Sequence, residues 1–144
     1  MRFIIILDPA IISNVSAYEP YNSGIAEDVF VKWAEGRSPD RDEYNNDNML
    51  GYVWPTGKTV FPDFFLERTQ QWWKDLIVKE RQKLNFDAIW IDMNEPACFG
   101  TNDERPWNWP EGELPYWTLK CYEDNKYDSP PYKTNSLHIE GTSV

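Results

Sequence analysis

The chain has 144 residues, with 24 Asp and Glu against 14 Lys and Arg, for a formal net charge of −10. That acidic balance argues against nucleic acid or an anionic membrane surface as partners, because both are held through basic patches. Eight Trp and eight Tyr are a heavy load of rings; rings fill cores as readily as they stack on sugars, so only their positions discriminate.

The first element is an apolar β-type run, Phe3-Ile4-Ile5-Ile6-Leu7, which ends in Asp8 and is stopped by Pro9. It is far too short to cross a membrane, so no membrane segment is expected, and no apolar leader precedes it, so Met1 does not read as the start of a signal peptide. Residues 12–50 are polar and acidic, with Asn, Asp, Ser and Pro throughout, and are expected at the surface as an insertion. Within them Asn14-Val15-Ser16 is a glycosylation sequon. Residues 36–48 lack the spaced carboxylates and terminal Glu of a calcium loop, so a solvated loop is expected there.

Gly51-Tyr52-Val53-Trp54-Pro55 and Phe61-Pro62-Asp63-Phe64 come next. On its residues alone, Trp54 reads either as a plug in a loop or as the wall of a ligand site. Residues 67–84 then form a helix, since Trp72, Trp73, Leu76, Ile77 and Leu84 recur at three- and four-residue steps, with Lys74, Asp75, Lys79, Arg81 and Lys83 off that stripe. The Trp pair belongs to the core.

Residues 88–96, Ala-Ile-Trp-Ile-Asp-Met-Asn-Glu-Pro, are the most informative stretch. An apolar strand delivers Asp92 at its end. By strand alternation Trp90, Asp92 and Asn94 face one way, while Ile89, Ile91 and Met93 face the other. A flat ring two residues before a carboxylate suits a sugar wall beside a nucleophile or base. The plainer alternative is an acidic residue at the exit of a buried strand. With the helix between them, the two strand runs make one parallel βαβ unit. Asp8 and Asp92 then fall on one rim, with Ile6 sharing the face of Asp8 and Trp90 that of Asp92, so that all four can line one pocket.

Cys98 and Cys121 are separated by 22 residues, a span that a disulfide can close. Neither belongs to a closely spaced ligand pair and the only histidine is His138, so no metal site and no cofactor are expected.

The string at 88–96 resembles the nucleophile motif of glycoside hydrolase family 31, in its branch of maltase-glucoamylase, sucrase-isomaltase and lysosomal acid α-glucosidase. Arg2 to Ile11, with its Asp-Pro-Ala ending, resembles that family's preceding barrel strand. Gly51–Pro55 with Phe61–Phe64 is similar to its loop carrying a sugar-stacking Trp, Trp72-Trp73-Lys74 to its return helix, and Pro130-Pro131-Tyr132 to a later loop marker. The likeness runs from about residue 2 to residue 133, leaving 134–144 as an unmatched tail. One departure is Thr56, which makes the turn after Trp54 a residue longer than the commonest family form.

The resemblance implies an α/β fold: a partial (β/α)8 TIM barrel of about two consecutive strands, one crossover helix and long surface loops. A whole barrel needs about 250 residues, so residues 1–144 are expected to be an internal piece of a larger catalytic domain. It further implies Asp92 as nucleophile, Glu95 in support, and a sugar site including Ile6, Asp8, Trp54, Trp90 and Met93. The acid/base carboxyl of the family has no counterpart here, so the chain alone is expected to be inactive. In those relatives the Cys aligned with Cys121 pairs further along the chain, so its bonding to Cys98 stays open. The implied activity is retaining exo-α-glucosidase action on maltose- or starch-type oligosaccharides, in a secretory, lysosomal or cell-surface setting that agrees with a sequon at Asn14. Two alternatives stand beside it: a non-catalytic remnant or sugar-binding protein, and a family member with another α-glycoside specificity.

Overall fold

The computed structural model describes residues 1–13, 16–33 and 47–99. Their elements run β1 (Ile4–Leu7), β2 (Ile11–Ile12), α1 (Glu19–Ala26), β3 (Leu50–Gly51), β4 (Thr59–Val60), α2 (Glu67–Lys83) and β5 (Ala88–Ile91). Two sheets result. β1 and β5 pair in parallel, and β2, β4 and β3 form a three-stranded antiparallel sheet in that order. No closed barrel is present among the described residues.

β1 and β5 are short runs of β-branched and aromatic residues, the types that suit a pleated surface. Their register aligns Ile4 with Ala88, Ile6 with Trp90 and Leu7 with Ile91. A clip sets that register at the strand entrances. The Asp87 carboxylate accepts from the Phe3 N–H at 2.7 Å and from Arg2 at 2.9 Å, while Asp87 N–H donates to Phe3 O at 2.7 Å. The Phe3 N–H, then Arg2, hold the Asp87 carboxyl below the usual carboxylate range.

The predicted helix appears as α2, one residue shorter than expected because Leu84 leaves helical geometry. Trp72 is its buried centre. Its indole N–H donates to Ser23 Oγ at 2.9 Å, and its ring meets Phe30 edge-on at 5.7 Å. Trp73 and Leu76 pack on the same core, whose buried members are Ile11, Tyr21, Val29, Phe30, Leu50, Val60 and Trp72.

That core corrects the expectation that residues 12–50 are a surface insertion. They contribute α1 and the buried Tyr21, Val29, Phe30 and Leu50. The physical reason is that average polarity conceals spacing: Tyr18, Tyr21, Ile25 and Val29 recur at helical steps amid polar neighbours. Residues 29–33 then run as an extended segment, with bridges Phe30–Pro62 and Lys32–Asn48. Gly24 on α1 faces Phe30 so closely that a Cβ there would overlap the ring. The solvated loop expected at residues 36–48 falls mostly outside the described residues.

The two faces of the β1–β5 pair differ. Ile5, Leu7 and Ile89 turn toward α2 and line a cleft of about 490 Å³ with Ile11, Trp73 and Leu76. Ile4, Ile6 and Trp90 look the other way and are more than half exposed.

Trp72→Ala in the intact protein is expected to cost about 3–5 kcal/mol, the range for removing a buried large aromatic side chain. Lys74→Ala on the exposed face of the same helix should stay within about 0.5 kcal/mol. Denaturant unfolding with both variants checks the contrast; equal effects would mean that Trp72 does not anchor the core.

Candidate active site

The parallel register carries each strand to a carboxylate at its exit. Asp8 follows Leu7 and Asp92 follows Ile91, and the Asp92 N–H donates to Leu7 O at 3.4 Å, extending the ladder by one step. The two carboxylates feel each other. Desolvation first, and the charge of Asp92 second, push the Asp8 carboxyl above its usual value.

Asp92 itself is half-buried, and its Oδ1 accepts from the Met93 N–H at 2.9 Å, which orients the carboxylate. Met93 adopts a left-handed backbone with φ of 55°. For a side chain larger than Gly or Asn this conformation costs about 1–2 kcal/mol. It also ends the strand alternation expected through residue 94: β5 stops at Ile91, so Met93 does not continue the face of Ile89 and Ile91. The turn sends Met93 to the loop after β3 instead. There the Trp54 indole N–H is pressed against Met93 Sδ at 2.7 Å.

Other contacts bind that loop to the segment following β5. The Trp54 ring meets Phe99 edge-to-face, with centroids 4.8 Å apart and planes at 80°. Tyr52 O accepts from Phe99 N–H at 2.7 Å, and Tyr52 N–H points at Cys98 Sγ at 3.5 Å. Gly51 has no room for a side chain here, since a Cβ would lie 2.9 Å from Cys98 Sγ and 2.7 Å from the Phe61 ring. In the turn before Lys58, Gly57 takes φ of 130°, open only to glycine at low cost.

Of the residues singled out in the sequence, three pairs come together: Asp8 with Asp92, Ile6 with Trp90 across the strands, and Trp54 with Met93. Among the described residues they do not share one enclosed pocket. Ile6, Trp90 and Trp54 are each more than half exposed, and the cleft under α2 lies against the opposite face of the sheet, with Asp8 alone among them on its lining. Glu95 is exposed on the turn that follows. Asn14 and Cys121 lie outside the described residues; Cys98 carries a free thiol. No group of three or more His, Cys, Asp or Glu side chains is arranged to hold a metal ion among the described residues. No helix there is long and apolar enough to cross a membrane. Phe99 is not singled out in the sequence; Tyr52 is read there only as part of the Trp54 loop and Cys98 only as a possible disulfide partner, and the structure brings all three together. The available signal was a small residue at Gly51 beside a ring-rich loop, and two further non-polar residues just after the Pro that ends the acidic motif.

The parallel strand pair thus carries carboxylates at its adjoining exits, flanked by exposed rings. The family profile described as "Glycosyl hydrolases family 31 TIM-barrel domain" matches residues 1–135, and the chain belongs to that family. It is similar to the lysosomal alpha-glucosidase of Bos taurus, 36% identical over 135 residues, covering 91% of this chain and 11% of that protein. It is 34% identical to the intestinal sucrase-isomaltase of Oryctolagus cuniculus, covering 95% of this chain and 8% of the relative. It is also 38% identical to alpha-xylosidase 1 of Arabidopsis thaliana, covering 96% of this chain and 14% of the relative. The chain thus spans about a tenth of the length of these relatives.

The raised Asp8 carboxyl has a testable sign. A folded-state value above the unfolded one gives stability that is complete below the unfolded value and is lost as pH rises through the folded one. Asp8→Asn stays uncharged throughout and removes that term. Its Tm relative to the wild type should therefore climb as pH rises above the ordinary Asp value of about 4. A flat difference would mean that neither desolvation nor the charge of Asp92 raises the Asp8 carboxyl in the fold.

Proposed function

We propose that this chain contributes two adjacent strands and their crossover to the (β/α)8 barrel of a retaining exo-α-glucosidase, with Asp92 as nucleophile. The observation that carries the reading is the parallel register that sets Asp92 beside Asp8 at the strand exits, with Trp54 drawn against Met93. In such a barrel, chemistry sits at the C-terminal ends of the strands.

On this reading Asp92 attacks the anomeric carbon of a terminal glucose. The glycosidic bond breaks as a second carboxyl protonates the leaving oxygen, and a covalent glycosyl ester forms on Asp92. The same second carboxyl then takes a proton from water, which attacks the anomeric carbon and frees Asp92. Retaining enzymes hold their two carboxyls about 5–5.5 Å apart. In this proposal the proton donor comes from a strand beyond those described. Asp8 orders the sugar, Glu95 supports the nucleophile through hydrogen bonds, and Ile6, Trp54, Trp90 and Met93 form the walls. The substrates are maltose- and starch-type α-glucosides, and the setting is lysosomal, secreted or at the cell surface, a reading in keeping with one relative named as lysosomal and another as intestinal. The similarity to an α-xylosidase supports one competing specificity, so the assay compares aryl α-glucoside with aryl α-xyloside.

Asp92→Asn in the intact enzyme keeps shape and removes the nucleophilic charge, so kcat is expected to fall by several orders of magnitude with substrate binding largely kept. A mechanism-based cyclitol epoxide should leave its adduct on Asp92; peptide mass spectrometry placing it on Asp8 or Glu95 would reassign the nucleophile.

Trp54→Ala should weaken an acarbose-type inhibitor by about 1–3 kcal/mol, as expected for a buried aromatic contact with a sugar. Unchanged affinity with a lower Tm would make Trp54 a packing residue.

A further inference from the structure

Trp54 is largely exposed and sits in a run of bends between the two-residue strands β3 and β4. An indole on such a loop samples several rotamers unless something fixes it, and a stacking wall gains affinity only when it is ordered beforehand.

The segment after β5 supplies that order from one side. Phe99 uses its backbone and its ring together. Its N–H donates to Tyr52 O at 2.7 Å, and its ring stands edge-on to the Trp54 indole at 4.8 Å. Cys98 Sγ faces the Tyr52 N–H at 3.5 Å and fills the space left by Gly51. Both backbone polar groups of Tyr52 are therefore engaged by two consecutive residues, and the indole two positions later is caught between Phe99 and Met93. We infer that Phe99, assisted by Cys98, is a positioning residue that holds the Trp54 indole in its wall orientation, so that this segment orders the sugar site by way of Trp54.

The inference rests on the reading of Trp54 as a sugar wall, and a double-mutant cycle in the intact enzyme separates the two. Phe99→Leu removes the ring edge while keeping an apolar side chain and the backbone N–H. It is expected to raise the Kd of an acarbose-type inhibitor and KM for maltose about three- to tenfold, with kcat changing less than about twofold. Phe99→Tyr should restore both. In a Trp54→Ala background, Phe99→Leu should cost nothing further, because a residue that acts through Trp54 has nothing left to position. Cys98→Ala should show the same pattern more weakly, and Cys98→Ser, which keeps an acceptor for Tyr52 N–H, should show less.

Equal costs of Phe99→Leu with and without Trp54 would overturn the inference, since Phe99 would then act independently. So would wild-type affinity in Phe99→Leu while Trp54→Ala weakens the inhibitor, a result that leaves the sugar-wall reading standing. If Trp54→Ala itself leaves affinity unchanged, the sugar-wall reading fails. Hydroxyl-radical oxidation of Trp54, mapped by mass spectrometry, then decides the positioning role: oxidation rising in Phe99→Leu supports it, and an unchanged rate refutes it.

Discussion

Everything chemical in this chain depends on the register of one parallel strand pair. Parallel strands are joined across a long connection, so nothing local stops them slipping by a residue, and a slip of one turns every side chain to the opposite face. Here the pair is fixed at its entrance, where Asp87 takes the Phe3 N–H and Arg2 together and returns its own N–H to Phe3 O. The exit then follows by counting residues. Asp8 and Asp92 emerge at neighbouring strand exits, where desolvation first and the charge of Asp92 second raise the Asp8 carboxyl. An exposed clip at one end thus fixes which residues leave the sheet at the other.

The sheet between these ends has two unlike faces, and the helix on one of them explains why. α2 offers Trp72, Trp73 and Leu76 to the core and the cleft, so Ile5, Leu7 and Ile89 have apolar company. Ile4, Ile6 and Trp90 have none among the described residues.

The strong periodicities were legible in the sequence. β1 and β5 were visible as apolar runs ending in Asp, and α2 as a stripe at helical spacing. Their parallel pairing followed from the helix between them. The rest was hidden for separate physical reasons. α1 has few apolar residues and opens without a capping side chain, so its pattern was diluted by polar neighbours. The antiparallel sheet consists of two-residue strands, too short to show alternation. The left-handed turn at Met93 is imposed by surrounding structure on a residue that does not favour it, and no local propensity announces such a turn. The bracket around Tyr52 joins residues more than forty positions apart through backbone atoms, to which composition is blind.

The small antiparallel sheet has a consequence for how this rim can vary. Both feet of the turn bearing Trp54 are fastened: Gly51 and Thr59 are register partners, and Thr59 Oγ1 donates to Gly51 O at 3.1 Å. Closing a loop costs only slowly more as it lengthens, so residues gained or lost at its tip are absorbed between the feet. Length drift there reshapes the mouth of the site while the strands carrying Asp8 and Asp92 stay where they are. The turn bearing Trp54 and the strand exits bearing Asp8 and Asp92 thus rest on two separate sheets, so a change in one need not move the other.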